Sequence, residues 1–215
     1  IGSSVANFYD NVSAIDVYTG DTVWSSDVVG DFMSVVTSKQ AADTLLISGN
    51  SLGSDFGNVA SIEASTGKTN WNVEFDLIGY SAPVTVGTSY VCTAASKVVP
   101  AAVNASIMCL YSYSGLTVGT PQPTIGLVTG LAASKNTLFA ATANNEYNST
   151  YAYQLLAVNA ETSTSTVLHS VKSVNIQVAD YQANNVVFVD SVGLVVFGVY
   201  DSSGRTFKLD AFSFP

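Results

Sequence analysis

The chain has 215 residues, 47% hydrophobic content and a mean hydropathy of +0.32, which is ample apolar material for a sizeable core and rules out a disordered polymer. Only 11% of residues are charged, the formal net charge is -9 and the pI is near 4.2, so seven scattered Lys and Arg cannot form a phosphate-tracking patch and nucleic-acid binding is excluded. No run reaches the roughly 18 to 20 apolar residues that span a bilayer, so no membrane insertion is expected; with no charged-then-apolar export signal at Ile1, the chain reads as a mature product.

In chain order, the first element is Ala14-Ile-Asp-Val-Tyr-Thr-Gly-Asp-Thr-Val-Trp24, a strand, a turn and a returning strand. Thr44-Leu-Leu-Ile-Ser48 follows as a short β-branched strand, and Ser61-Ile-Glu-Ala-Ser-Thr-Gly-Lys-Thr-Asn-Trp71 repeats the first element, with Gly20 to Gly67 and Trp24 to Trp71 both 47 residues apart. Pro83-Val-Thr-Val-Gly87 is another strand. Leu110-Tyr-Ser-Tyr-Ser-Gly115 and Ala157-Val-Asn-Ala-Glu-Thr-Ser163 are weaker copies at a spacing of 48, the second with Ser in place of Gly. Asn185-Val-Val-Phe-Val-Asp190 and Leu194-Val-Val-Phe-Gly-Val-Tyr200 are strands, and Lys208-Leu-Asp-Ala-Phe-Ser213 is a fifth copy, so the period is about 47 to 51. No window of a dozen residues shows helical periodicity with a credible cap. The fold class is all-β.

Each copy carries a mechanism for its turn. An apolar strand ends in Asp16, Glu63 or an Asn, whose side chain can bond backbone in the turn, and Gly20 or Gly67 then supplies a positive φ without steric cost. A period of 40 to 50 residues with several strands per unit indicates propeller blades, each of which needs neighbours to bury both faces of its sheet. The pattern of strand, acidic residue, Thr-Gly and Trp resembles the pyrroloquinoline-quinone-like β-propeller repeats, over nearly the whole chain, with the full motif in the first two copies. The resemblance implies a propeller of about five four-stranded blades, or part of a larger one, with Trp24 and Trp71 in inter-blade packing. The blades fall at about 1–30, 31–78, 79–124, 125–172 and 173–215, as a single domain. With strands labelled a to d and the Thr-Gly turn between c and d, the first blade is expected to hold b, c and d and the last a, b and c. The total is then eighteen strands, two short of a closed ring of five blades.

Cys92 is placed on strand b and Cys109 on strand c of the third blade, antiparallel neighbours for which a disulfide is geometrically easy; two buried thiols are the alternative. A bond would imply export, since disulfides persist in oxidising compartments. Asn11-Val-Ser, Asn104-Ala-Ser and Asn148-Ser-Thr match the N-glycosylation acceptor pattern, although chance predicts about as many. All three are expected in b to c connections, on the face opposite the Thr-Gly turns.

The catalytic signal is poor. His169 is the only histidine, which removes paired-His metal sites and reads as a structural or surface residue. Asp16, Glu63 and Asp210 are explained as turn residues, and Asn50 to Asn58 reads as a Gly and Asn-rich loop and lacks the spacing of a calcium site. Quinoprotein dehydrogenases, which the repeat also resembles, use an adjacent cysteine pair, a catalytic Asp and a calcium-binding Glu and Asn. None of those roles can be carried onto a residue here, so no cofactor is expected. The expectation is an extracellular or cell-surface, glycan-bearing, non-enzymatic scaffold that binds protein, including copies of itself, and can form filaments through incomplete end blades; completion of those blades by a further part of the same polypeptide, and closure by the N-terminal segment pairing with the last blade, stay open beside it. The alternative is an enzyme, either a hydrolase or lyase with carboxylates at the propeller axis or a fragment of a quinoprotein dehydrogenase.

Overall fold

The computed structural model describes residues 11–29, 31–38, 43–50, 56–75, 78–79, 83–99, 102–144, 150–174, 186–201 and 206–214. Among them lie eighteen strands in five antiparallel sheets. Sheet 1 is the hairpin β1 (Asn11–Ile15) and β2 (Thr22–Val29). Sheet 2 runs β3 (Asp31–Thr37), β4 (Thr44–Asn50), β5 (Gly57–Glu63) and β6 (Thr69–Phe75) in chain order. In sheet 3 the first strand is broken into β7 (Ile78–Gly79) and β8 (Val84–Val86), both paired to β9 (Tyr90–Val99), which is followed by β10 (Ala102–Tyr111) and β11 (Gln122–Ile125). Sheet 4 is β12 (Leu127–Ser134), β13 (Thr137–Asn144), β14 (Thr150–Asn159) and β15 (Thr164–Val174), and sheet 5 is β16 (Val186–Val189), β17 (Leu194–Asp201) and β18 (Thr206–Ser213).

Eighteen is the number expected, but it arises differently. The expected b strand of the first blade falls on residues 1–10, outside the described residues, and the broken first strand of sheet 3 supplies the extra one. The other correction concerns the fifth copy. In sheets 2, 3 and 4 the first residue of strand b faces the turn residue at the end of strand c, as Thr44 faces Glu63, Tyr90 faces Tyr111 and Thr137 faces Asn159. In sheet 5 Leu194 faces Ser213, whereas Asp210 faces Phe197 inside the ladder. Asp210 is therefore a strand residue, and the turn position lies three residues beyond it.

Because side chains alternate across a strand, each sheet feeds two neighbours. Val91, Met108 and Leu110 of sheet 3 pack with Leu46, Val59 and Trp71 of sheet 2, while Cys92, Ala94, Ile107 and Cys109 pack with Val128, Leu131, Leu138 and Leu156 of sheet 4. Val28 joins Ile47, Ala60 and Ile62 across the first joint, and Phe139, Tyr153 and Leu155 join Val186 and Val195 across the fourth. Among the described residues the core is thus four inter-sheet clusters.

At the first two joints a tryptophan closes the outer side. Trp24 donates its indole N–H to the Ala64 carbonyl at 2.9 Å, and Trp71 donates to that of Ser112 at 2.8 Å, each in the c–d turn of the next sheet. The ring then lies over that turn's glycine: a Cβ on Gly67 would stand 2.4 Å from Trp24, and one on Gly115 would stand 2.9 Å from Trp71. Glycine is required twice over, because φ is +75° at Gly67 and +71° at Gly115.

The third joint carries the opposite pair. Gly119 stands where a tryptophan would, and Ser163, with φ +52°, stands where the glycine would. The Ser163 hydroxyl donates to the Val118 carbonyl at 2.6 Å, so the turn closes directly onto the sheet with no ring between. At the fourth joint phenylalanines take over, with Phe139 stacked on Phe188 at 5.4 Å and edge-on to Phe214 at 4.8 Å.

Gly20 shares the turn conformation, with φ +77°, yet nothing lies within 4 Å of the position a Cβ would take. Gly20→Val should therefore cost only the left-handed penalty of roughly 1–2 kcal/mol. Gly67→Val should add overpacking against Trp24, for a total of about 3 kcal/mol or more. Urea melts of the two variants measure the difference, and equal losses would contradict the ring-on-glycine joint.

Candidate functional site

The c–d turns form one end of the sheets. Asp16 Oδ1 accepts from the backbone N–H groups of Tyr18 at 2.8 Å and Thr19 at 3.1 Å, and Asn159 Oδ1 accepts from Glu161 at 2.9 Å and Thr162 at 3.1 Å. These are the side-chain turns expected of acidic or amide residues at this position. Glu63 is one methylene longer and uses its carboxylate differently, accepting the Thr66 hydroxyl at 2.6 Å. In all three copies ending in glycine, the glycine N–H reaches back to the carbonyl four residues earlier at 2.8 Å.

Three tyrosines line this end of sheet 3, with Tyr90 to Tyr111 ring centroids 5.8 Å apart and Tyr111 to Tyr113 5.7 Å apart. Desolvation, reinforced by the Glu161 carboxylate of the neighbouring turn and by the other two phenols, holds the Tyr90 phenol above its ordinary 10.0. Sequence reading missed this row, although three tyrosines at the two ends of one predicted hairpin were a usable signal.

Cys92 and Cys109 are bonded, facing each other directly across β9 and β10 with a Cα separation of 4.1 Å. Both side chains are buried and point toward sheet 4. The acceptor asparagines depart from expectation. Asn11 opens β1 instead of lying in a loop, and Asn104 is paired on both sides, to Lys97 and Ile125. The b to c connection of sheet 3 is shorter than predicted, since β9 and β10 run to within two residues of each other. Asn148 lies outside the described residues. The b–c ends of the sheets remain opposite the Thr-Gly turns.

His169 lies on β15, its ring 4.7 Å from Phe212 and its Nε2 3.9 Å from the Asp210 carboxylate. It bridges sheets 4 and 5 from a partly exposed position. Among the described residues no three His, Cys, Asp or Glu side chains come together as a metal site. Of the first strands of sheets 2 to 5, only β3 carries a carboxylate, Asp31. Most of Asn50 to Asn58 lies outside the described residues.

No protein-family model matches the chain, and no curated protein sequence does. Solved structures do match. BamB from Moraxella catarrhalis aligns over 91% of this chain and 55% of its own at 14% identity, with a TM-score of 0.50. The β-propeller domain of the Trilobed protease from Pyrococcus furiosus aligns over 96% and 60% at 9% identity, with a TM-score of 0.52. The fold is a β-propeller. Hydrazine synthase from Kuenenia stuttgartiensis matches as well, over 95% of this chain and 66% of that one, at 11% identity and a TM-score of 0.61. The chain thus spans 55 to 66% of the length of these three structures, and its sheets are blades. Since a synthase and the propeller domain of a protease share the likeness, the fold does not select a function.

Two outcomes follow from this geometry. Non-reducing peptide mapping should recover Cys92 and Cys109 as one linked pair, and replacing both with Ala should cost about 3 kcal/mol in a denaturant melt. The Tyr90 phenol should titrate above 10.0, and Glu161→Gln should lower it toward that value in an ultraviolet phenolate titration. As the folded state holds this proton more tightly, the stability Tyr90 contributes is whole below its unfolded pKa and is lost as pH rises through the raised value.

Proposed function

We propose that this chain is an exported, N-glycosylated propeller of the pyrroloquinoline-quinone-like repeat type. It serves as a protein-interaction scaffold and assembles with copies of itself through its end blades. One observation carries the reading: the first turn reproduces the Trp-receiving surface of the next two turns, but none of the described residues covers it. Gly20 has open space above it, and the flanking Val17 and Tyr18 are 87% and 95% exposed. At the other end, among the described residues, β18 is the outer strand of a three-stranded sheet, and Leu209 on it is 66% exposed. An uncovered turn and an outer strand edge are complementary requirements, of the kind proteins satisfy by pairing with another chain. A head-to-tail contact of this sort builds a filament when its rotation does not close.

Export is supported by the buried Cys92–Cys109 bond, since such bonds persist in oxidising compartments. Sugars at Asn11, Asn104 and Asn148 would cluster at the b–c ends and leave the turn face and both end blades free for protein contact. Light scattering of the purified chain at micromolar concentration should show polymers or stable complexes, and a soluble monomer with intact β signal would end the assembly reading. Glycosidase treatment of native material should lower its mass, and an unchanged mass would remove the glycans.

A further inference from the structure

We propose that the cleft between blades 2 and 3, opening on the turn face, binds a neutral saccharide. The cleft holds about 450 Å³, within the range of small-molecule pockets. Its floor is Leu46, Ser61 and Val91, each only 1% exposed. Trp71 forms one wall, with its orientation fixed by the indole bond to the Ser112 carbonyl at 2.8 Å. Asn70 and Tyr113 stand toward the mouth, where Tyr113 is 77% exposed and its ring is one end of the tyrosine row.

The chemistry of the lining selects the ligand class. The ten described residues that line it supply six hydroxyls, counting the Tyr113 phenol, with one carboxamide, two aromatic rings and two aliphatic side chains, and none of the ten is Asp, Glu, Lys, Arg or His. A phosphate, carboxylate or ammonium ligand would be desolvated there without a counter-charge, which is unfavourable by several kcal/mol in general. A purely apolar ligand would cover hydroxyls without replacing their bonds to water. A sugar ring meets both conditions, since its hydroxyls exchange donors and acceptors with Ser, Thr and Asn while its C–H face lies on an aromatic ring. Asn70 already donates to the Ser61 hydroxyl at 3.3 Å, so donor and acceptor are linked from rim to floor. The net charge of -9 further disfavours acidic sugars.

The test is a titration of the full chain with glucose, galactose, mannose, N-acetylglucosamine, lactose and cellobiose, followed by tryptophan emission and by saturation-transfer NMR. Glucose 6-phosphate serves as the charged control. At least one neutral sugar should saturate with a Kd of roughly millimolar order. Tyr113→Ala should weaken that binding about fivefold to tenfold through loss of ring stacking, and Asn70→Ala should weaken it as well. Both side chains are exposed, so the melting temperature without sugar should not move, and a variant that does melt early is replaced by Tyr113→Ser. No saturable response to any neutral sugar would overturn the proposal. So would tighter binding of glucose 6-phosphate, or binding that neither variant weakens.

Discussion

A planar indole resting on a carbon that has no side chain is the contact on which the order of the blades depends. A four-stranded sheet of this size has two apolar faces and cannot stand alone, so the angle between neighbours must be set by something other than the aliphatic clusters, which would tolerate sliding. The indole sets it. One edge of the ring is held by a directional hydrogen bond to the next blade's turn, as Trp24 is to Ala64, and its face is held by contact with Gly67. Shifting either blade would break the bond or drive the ring into backbone. Removing such a ring leaves both a cavity and an unpaired turn carbonyl, which together typically cost about 3–5 kcal/mol.

The later joints show what the same constraint permits when its two parts change together. With Gly119 in the tryptophan position there is no ring to seat, and Ser163 can accept a strained left-handed backbone because its hydroxyl replaces the missing hydrogen bond, with donor and acceptor exchanged between blades. Position 163 alone would read as a defect in the repeat. Taken with position 119 it is a compensated change, and the turn residue Asn159 still makes the same pair of backbone bonds as Asp16. The fourth joint abandons the device for a cluster of phenylalanines, and there the repeat spacing also stretches.

That stretch marks the limit of what was legible in the residues. Period, strand class, turn geometry and the cysteine pairing could be read because each rests on local chemistry: a glycine with positive φ, an acidic residue before a turn, two cysteines on adjacent predicted strands. Asp210 misled because the local pattern Leu-Asp-Ala looks like the other copies, while the true register is set by which residue of β17 it faces, a long-range fact. Asn104 misled for a related reason. Acceptor sequences are polar and loop-like in composition, but β9 and β10 run to ten residues each, the upper end of the usual strand length, and absorb the site into the ladder. The cleft could not be read at all, since its walls come from residues on two blades that are neighbours only after folding.

Blade 3 differs from the others in being tied across its middle strands. If assembled copies bear tension along a filament, the joints between blades are the first places to open, because they are held by side chains alone, whereas each blade is held by backbone ladders. Once blade 3 itself yields, the chain between Cys92 and Cys109 still cannot be drawn out, and a separation of 17 residues removes on the order of 55 Å from the reach of the stretched polypeptide. The bond is therefore a limit on extensibility as well as a contribution to stability.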